Sequence, residues 1–304
     1  MTLGFDQPLY VLPFDHRGSF ETGIFGWKGV VNLAQTTVIE FTKRIVYDGF
    51  KAAIAAGVPK ERACILADEQ FSSPILHDAS AQGYMIAYPV EKTGQDEFDF
   101  EQGENFANHI EEFQPTFCKV SLRYNPEGNR ALNRRQTERL RRLSDFLHSQ
   151  TRSRLMCELL IPAEKAQFEK VKGDKEAYES AIRPQLTVQT LKELQEAHIE
   201  PDVWMVERLN RRDDCERIVA TACHGSRDRV GCVALCREED DKNAREWLAM
   251  AATVPGFIGF ALGHSFWESL FGWRAWSVTR EAAVEQIARG YREFVNIFEK
   301  ERGN

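Results

Sequence analysis

Residues 116–122 read TFCKVSL and residues 154–161 read RLMCELLI, with an amphipathic, Arg-faced stretch at 131–149 between them. The two outer runs are short and almost continuously apolar, as expected of parallel strands covered on both faces. The segment therefore reads as strand, helix, strand. Each strand also carries one charge, Lys119 and Glu158, at a position where the pattern calls for an apolar side chain.

The same alternation extends in both directions. Apolar runs recur at LYVLPF (9–14), ACILA (63–67), YMIAYPV (84–90), DVWMVERL (202–209), RVGCVALC (229–236) and GFIGFALG (256–263). Between the runs lie helical patterns at 34–56, 101–113, 187–198, 212–223, 241–252 and 279–299. In the first of these Val38, Phe41 and Ile45 recur at helical spacing. The last has Thr279 as N-cap and Val284, Ile287, Tyr291, Phe294 and Phe298 on one face. Eight strand runs alternating with helical patterns predict an α/β fold, a (β/α)8 TIM barrel forming a single domain over residues 1–304. A doubly wound sheet with fewer strands is the alternative.

Composition fits this frame. Hydrophobic residues make up 43% and charged residues 28%, so the chain is neither disordered nor membrane-spanning. Lys and Arg total 39 against 46 Asp and Glu, a net charge of −7 that argues against nucleic acid as a partner. The start, MTLGFDQPLY, has no basic and apolar leader pattern, and a cytoplasmic location is expected. Seven cysteines without a CxxC suit buried, reduced thiols, above all Cys64, Cys118, Cys157 and Cys232. The Arg-rich segment 130–142 reads as a solvated helix face.

A barrel of this kind places its chemistry at the carboxyl ends of the strands. Run 1 ends in Asp15, His16 and Arg17, run 2 in Asp68 and Glu69, and run 3 in Glu91. Run 4 carries Lys119 and then Arg123, and run 5 carries Glu158. A charge inside a strand must be paired, or its pKa shifts. A lysine beside carboxylates suits proton transfer or anion binding, and also suits a structural ion pair. Arg237, Gly263 and His264, after runs 7 and 8, suit a phosphate. No metal is expected, because Asp68, Glu69, Glu91 and His16 show no committed ligand spacing.

Longer stretches carry a resemblance. LPFDHRGSF, LADEQF, FDFEQGENFANHIEEFQPTFCKVSLRYNPEG, CELLIPAE, ELQEAHIEPDVW and VPGFIGFALG resemble the DUF2090 family, over about residues 8–300. That family is the aldolase-like domain associated with 2-deoxy-5-keto-gluconate 6-phosphate aldolase, and is similar to class I tagatose-bisphosphate aldolases. The resemblance implies a (β/α)8 barrel. It implies that Asp15 assists carbon–carbon cleavage, Lys119 assists near the substrate, and Glu158 is an acid/base. It also implies a Schiff-base lysine on strand 6, in a motif reading PDVWKIEG. Here the motif reads PDVWMVER, with Met205 at the lysine position. Ser72, Cys236 and His264 depart from the resemblance as well. Several departures around one mouth favour natural divergence over a single introduced substitution.

Three functional readings follow. One is a class I aldolase-like lyase acting on a keto-sugar phosphate or similar small carbonyl compound, with Lys119 taking the amine role. Another is a non-covalent enolising isomerase or lyase on the same barrel. The third is a retired sugar-phosphate-binding protein. Expected ligand contacts are His16, Arg17, Glu69, Arg123, Arg237, Gly263 and His264. The expected partner is a small molecule, not nucleic acid or membrane, and no cofactor is expected. The exposed helix faces leave a homo-oligomer open, without a decisive apolar patch.

Overall fold

A computed structural model describes residues 2–236, 241–262 and 267–303. Eight strands lie in the order of the chain: β1 (Leu9–Pro13), β2 (Ala63–Leu66), β3 (Met85–Pro89), β4 (Phe117–Arg123), β5 (Arg154–Leu160), β6 (Val203–Val206), β7 (Gly231–Cys236) and β8 (Phe257–Leu262). Each pairs in parallel with the next, and β8 closes onto β1. This is the TIM barrel that the eight apolar runs predict. The longer helices are α1 (Gly18–Phe25), α2 (Leu33–Ala55), α3 (Glu69–Ala81), α4 (Phe106–Phe113), α5 (Arg130–Gln150), α6 (Arg183–Glu196), α7 (Arg212–Ala222), α8 (Asp241–Ala252), α9 (Trp267–Arg274) and α10 (Arg280–Arg302). Among the described residues no helix is long and apolar enough to cross a membrane.

Strand side chains alternate with period two, which splits the core in two. Val203 and Met205 point into the ring, beside Phe117, Met156, Val233 and Leu235. Trp204 and Val206 point outward and meet the helices. The outer core is the larger, and it takes the aromatic side chains. In α10, Ile287, Tyr291, Phe294 and Phe298 are all buried, at spacings of four, three and four, and Thr279 caps its first turn through the Ala282 N–H. Burying each such side chain contributes about 1.5–3 kcal/mol.

Some local expectations change. In α2, Val38 and Phe41 are partly exposed, and the buried face runs through Ile39, Thr42, Lys43, Val46 and Phe50. Ile45 is buried as expected, and Lys43 lies on the buried face too, where it meets a buried carboxylate, Asp68. The pattern expected over 101–113 is α-helical only from Phe106, after a 3-10 turn at Gly103–Asn105. Helices α1 and α3 are additional, and α3 tolerates Pro74 inside its span.

The seam of the ring is tight. Leu9 faces Gly259 across the β1–β8 pairing, and a Cβ at Gly259 would lie 1.7 Å from the Leu9 carbonyl oxygen. Only glycine lets the two backbones approach this closely.

Candidate active site

Lys119, Ser121 and Arg123 alternate along β4, so the first two face the interior at successive levels. Ser121 is in register with Glu158 on β5, and Glu158 with Met205 on β6. Pairing sets these three side by side across three strands. From the opposite side come Asp15, two residues past β1, and Glu91, two residues past β3.

These groups converge on one ammonium. The Lys119 Nζ lies 2.8 Å from Glu158 Oε2, 2.9 Å from Glu91 Oε1 and 3.3 Å from Asp15 Oδ2. It also donates to Ser121 Oγ at 2.8 Å. The Ser121 hydroxyl in turn donates to Glu158. An ammonium has three protons, and here it has four acceptors. The Asp15 contact is the longest of the four.

Burial disfavours the Lys119 ammonium, but Asp15, Glu158 and Glu91 outweigh it and hold the amine well above its usual range. At neutral pH Lys119 is therefore a cation without a free electron pair. Burial also pushes Asp15 toward the neutral acid, but Lys119 and His16 prevail and keep it a carboxylate, below the usual range. Glu91 goes the other way. Burial raises it despite Lys119, and its Oε2 is buried with no hydrogen-bond partner. The three carboxylates thus differ in environment, the usual basis for dividing acid and base roles.

The cluster forms the floor of a cavity of about 400 Å³ at the carboxyl ends of the strands. That is a volume suited to a small metabolite. Asp15, His16, Arg17, Glu91, Lys119, Arg123, Glu158 and Met205 all line it. Met205 is buried in the wall, next to Glu158. Arg17 is buried too, and its guanidinium donates to the Glu91 carbonyl at 2.9 Å and to Glu101 at 2.6 Å. Arg123 stands at the rim, half exposed, 3.7 Å from Asp96.

The loop after β3 covers the mouth. Lys92 N–H donates to the Asp99 carbonyl, and Glu101 N–H to the Val90 carbonyl, which folds residues 92–99 back as a flap. Arg135 and Arg139 of α5 both hold Glu97 in this flap. Part of the expected solvated Arg face is thus an anchor.

Glu69 does not line the cavity. Its carboxylate accepts from Tyr88 at 2.6 Å and Gln102 at 3.1 Å, and lies 2.9 Å from the His109 Nδ1. The reason is its place as the first residue of α3, which turns it away from the mouth. The neighbouring Asp68 caps that helix at the Phe71 N–H and takes the buried Lys43 ammonium. Burial lowers the Lys43 amine, an effect that Asp68 opposes. Among the described residues no group of three or more His, Cys, Asp or Glu side chains is placed to hold a metal ion. Cys236 points outward to the helices, away from the cavity. Arg237, Gly263 and His264 lie outside the described residues.

Sequence reasoning left Ser121 out, and named Glu91 at the mouth without giving it a site role. Ser121 was signalled by its position two residues after Lys119, on the same strand face. Glu91 was signalled by its place at the end of an apolar run.

The structure is a (β/α)8 barrel with one lysine and three carboxylates gathered on the floor of its cavity. The chain belongs to the family described as "Uncharacterized protein conserved in bacteria (DUF2090)", whose model matches residues 5–302. No curated protein matches it. Similar solved structures include the fructose-bisphosphate aldolase of Plasmodium falciparum, at 11% identity and a TM-score of 0.58, covering 99% of this chain and 90% of that one. An archaeal fructose 1,6-bisphosphate aldolase is similar at 12% identity and a TM-score of 0.57, covering 95% and 94%. The fructose-bisphosphate aldolase of Slackia heliotrinireducens is similar at 10% identity and 0.55, covering 93% and 86%. At these identities the likeness is one of fold.

Proposed function

We propose that this barrel enolises a small carbonyl compound, in the sugar-phosphate class, and couples that step to reversible carbon–carbon cleavage without a covalent link to substrate. The observation that carries the reading is the Lys119 ammonium, fixed among Asp15, Glu91 and Glu158 on the cavity floor. A Schiff base needs a neutral amine, and both candidates speak against one. Lys119 is held protonated, and Met205 has no amine.

A fixed ammonium serves a different chemistry. A substrate carbonyl oxygen takes the place of the weakest acceptor, Asp15, and Lys119 polarises it. Asp15, released, accepts the proton of the substrate's β-hydroxyl. The C–O bond becomes a carbonyl, the C–C bond breaks, and its electron pair moves into an enolate held by Lys119. The proton taken by Asp15 passes to Glu158 by way of the Lys119 ammonium that touches both, and Glu158 returns it to the enolate carbon. The rim cation Arg123 faces the cavity opening and suits a phosphate.

The test is proton exchange in D₂O. The protein is incubated with a panel of keto-sugar phosphates, and C–H signals next to the carbonyl are followed by NMR. The expected result is exchange or cleavage with at least one compound, abolished in Lys119→Met, and no adduct on borohydride treatment. A borohydride adduct at Lys119 overturns the non-covalent step. Binding without exchange across the panel supports instead the retired binding protein.

A further inference from the structure

We propose that Glu91 is a further catalytic residue of this site, an acid whose O–H donates to the substrate oxygen that Lys119 holds. The inference rests on the enolising reading above, and it gives a role to the floor carboxyl which that reading leaves unused.

Charge makes one of the three carboxyls an acid. Asp15, Glu91 and Glu158 reach the Lys119 Nζ at 3.3, 2.9 and 2.8 Å. Any two of these carboxyl oxygens are therefore no further apart than two hydrogen bonds laid end to end. Three carboxylates on one ammonium leave two negative charges unbalanced, on side chains that are only 3–12% exposed. The buried cation Arg17 is paired with Glu101 at 2.6 Å. Carboxyls that share one buried site do not all ionise, and one keeps its proton.

Position says which one. Glu158 has the shortest contact with Lys119 and the Ser121 hydroxyl as well. Asp15 is held as a carboxylate by Lys119 and His16. Glu91 accepts from Lys119 at Oε1 alone, and its Oε2 is buried without a partner among the described residues. A bare carboxylate oxygen is costly there, whereas a protonated one is a donor. Burial, with Asp15 adding to it, raises Glu91 against Lys119 and Arg17. The charged groups around the pair of Glu91 and Lys119 are Asp15, His16 and Arg17 after β1, Glu158 on β5 and Glu101 beyond the flap.

The acid proton needs an acceptor, since buried polar groups in native proteins are paired. Glu91 lines the cavity, so a bound substrate can supply it. The end torsion of a glutamate is broad and two-fold, and little energy is needed to turn either oxygen inward. A carbonyl oxygen that replaces Asp15 at the Lys119 Nζ shares that nitrogen with Glu91 and lies within reach of its O–H. The enolate oxygen then receives one hydrogen bond from the ammonium and one from Glu91, which keeps its proton. Donors fixed before the charge develops stabilise it without reorganisation.

Infrared difference spectra and exchange kinetics in D₂O test the inference together. At neutral pH the parent is expected to show the C=O band of an un-ionised carboxylic acid, lost in Glu91→Gln and fading as pH rises. Absence of the band overturns the inference whatever the activity, and exchange in that case leaves the enolising reading standing. Glu91→Ala is expected to slow exchange by about a hundredfold or more, the effect of removing one such donor. Glu91→Gln has an amide N–H in place of the acid O–H and should recover about tenfold of that loss. The parent rate should fall with rising pH as Glu91 ionises, and Glu91→Gln should lack this fall. Equal losses in the two variants would make Glu91 act as a carboxylate and overturn the inference. The band without exchange in any compound of the panel sinks the enolising reading, and the catalytic use of this proton with it. Circular dichroism checks folding, and the infrared comparison needs only the isosteric Glu91→Gln.

Discussion

Replacing Lys119 by methionine keeps the length of the side chain and removes its charge. Asp15, Glu91 and Glu158 then face one another around an apolar methyl group, all three at positions that are buried or nearly so. Removing one partner of a buried ion pair costs about 3–5 kcal/mol. The three carboxyls relieve part of this by taking up protons. Their folded-state pKa values rise above the unfolded values near about 4, so the folded chain binds more protons than the unfolded one. Its stability must then fall as pH rises, by about 1.4 kcal/mol per pH unit for each proton taken up. In the parent Glu91 already shows this rise, but Lys119 and Asp15 act differently. Lys119 is raised above its usual range, so its contribution is complete below the usual lysine pKa and is lost only as pH climbs through the folded value. Asp15 is depressed, so its contribution is lost only as pH falls through the acid range. Urea unfolding of parent and Lys119→Met at about pH 5, 6, 7 and 8 is the assay. The expected gap at pH 7 is about 3–5 kcal/mol, shrinking by about 2 kcal/mol toward pH 5. The double variant Lys119→Met/Glu158→Gln should recover at least about 1 kcal/mol. A gap below about 1 kcal/mol at pH 7, or one that ignores pH, would refute the charge argument.

Met205→Lys places an amine beside Glu158. We expect borohydride to trap a keto compound at position 205 in this variant and nowhere in the parent, read by intact mass. Trapping at Lys119 in the parent would contradict the protonated state assigned to it. Ser121→Ala removes one hydroxyl that bridges Lys119 and Glu158. It should cost about 1–3 kcal/mol in urea unfolding and slow exchange at the substrate carbon. An unchanged exchange rate would leave Ser121 a bystander. Lys43→Met strands the buried Asp68 and should cost about 3–5 kcal/mol, largely restored by Lys43→Met/Asp68→Asn. Equal stability of the single variant and the parent would count against the pair. Glu97→Gln releases Arg135 and Arg139, which are partly exposed, so global stability should move by less than about 1 kcal/mol. Amide exchange over residues 92–99 should still quicken, and unchanged exchange would argue against the flap.

The ring was legible because parallel strands buried on both faces leave unbroken apolar runs, and all eight are where the runs lie. Lys119 and Glu158 were legible as charges that such runs do not admit. The rest needed three dimensions. Asp68 and Glu69 are adjacent at the start of α3, and nothing local shows that one turns inward to Lys43 while the other turns to His109. Val38 and Phe41 share the spacing of Ile45, yet only Ile45 is buried, and the inward face also takes the charged Lys43.

The missing Cβ at Gly259 has a reach well beyond its own strand. Any side chain there would force β8 away from the Leu9 carbonyl and break the ring at the edge that carries β1. Asp15 hangs from the end of that strand, whereas Lys119 is fixed on the far side of the ring by β3 and β5. The 3.3 Å between them is therefore a gap spanned across the barrel, and it depends on how tightly the ring closes. Widening the hoop by one methyl group would move the first strand's acid out of reach of its lysine, with no residue of the cavity altered.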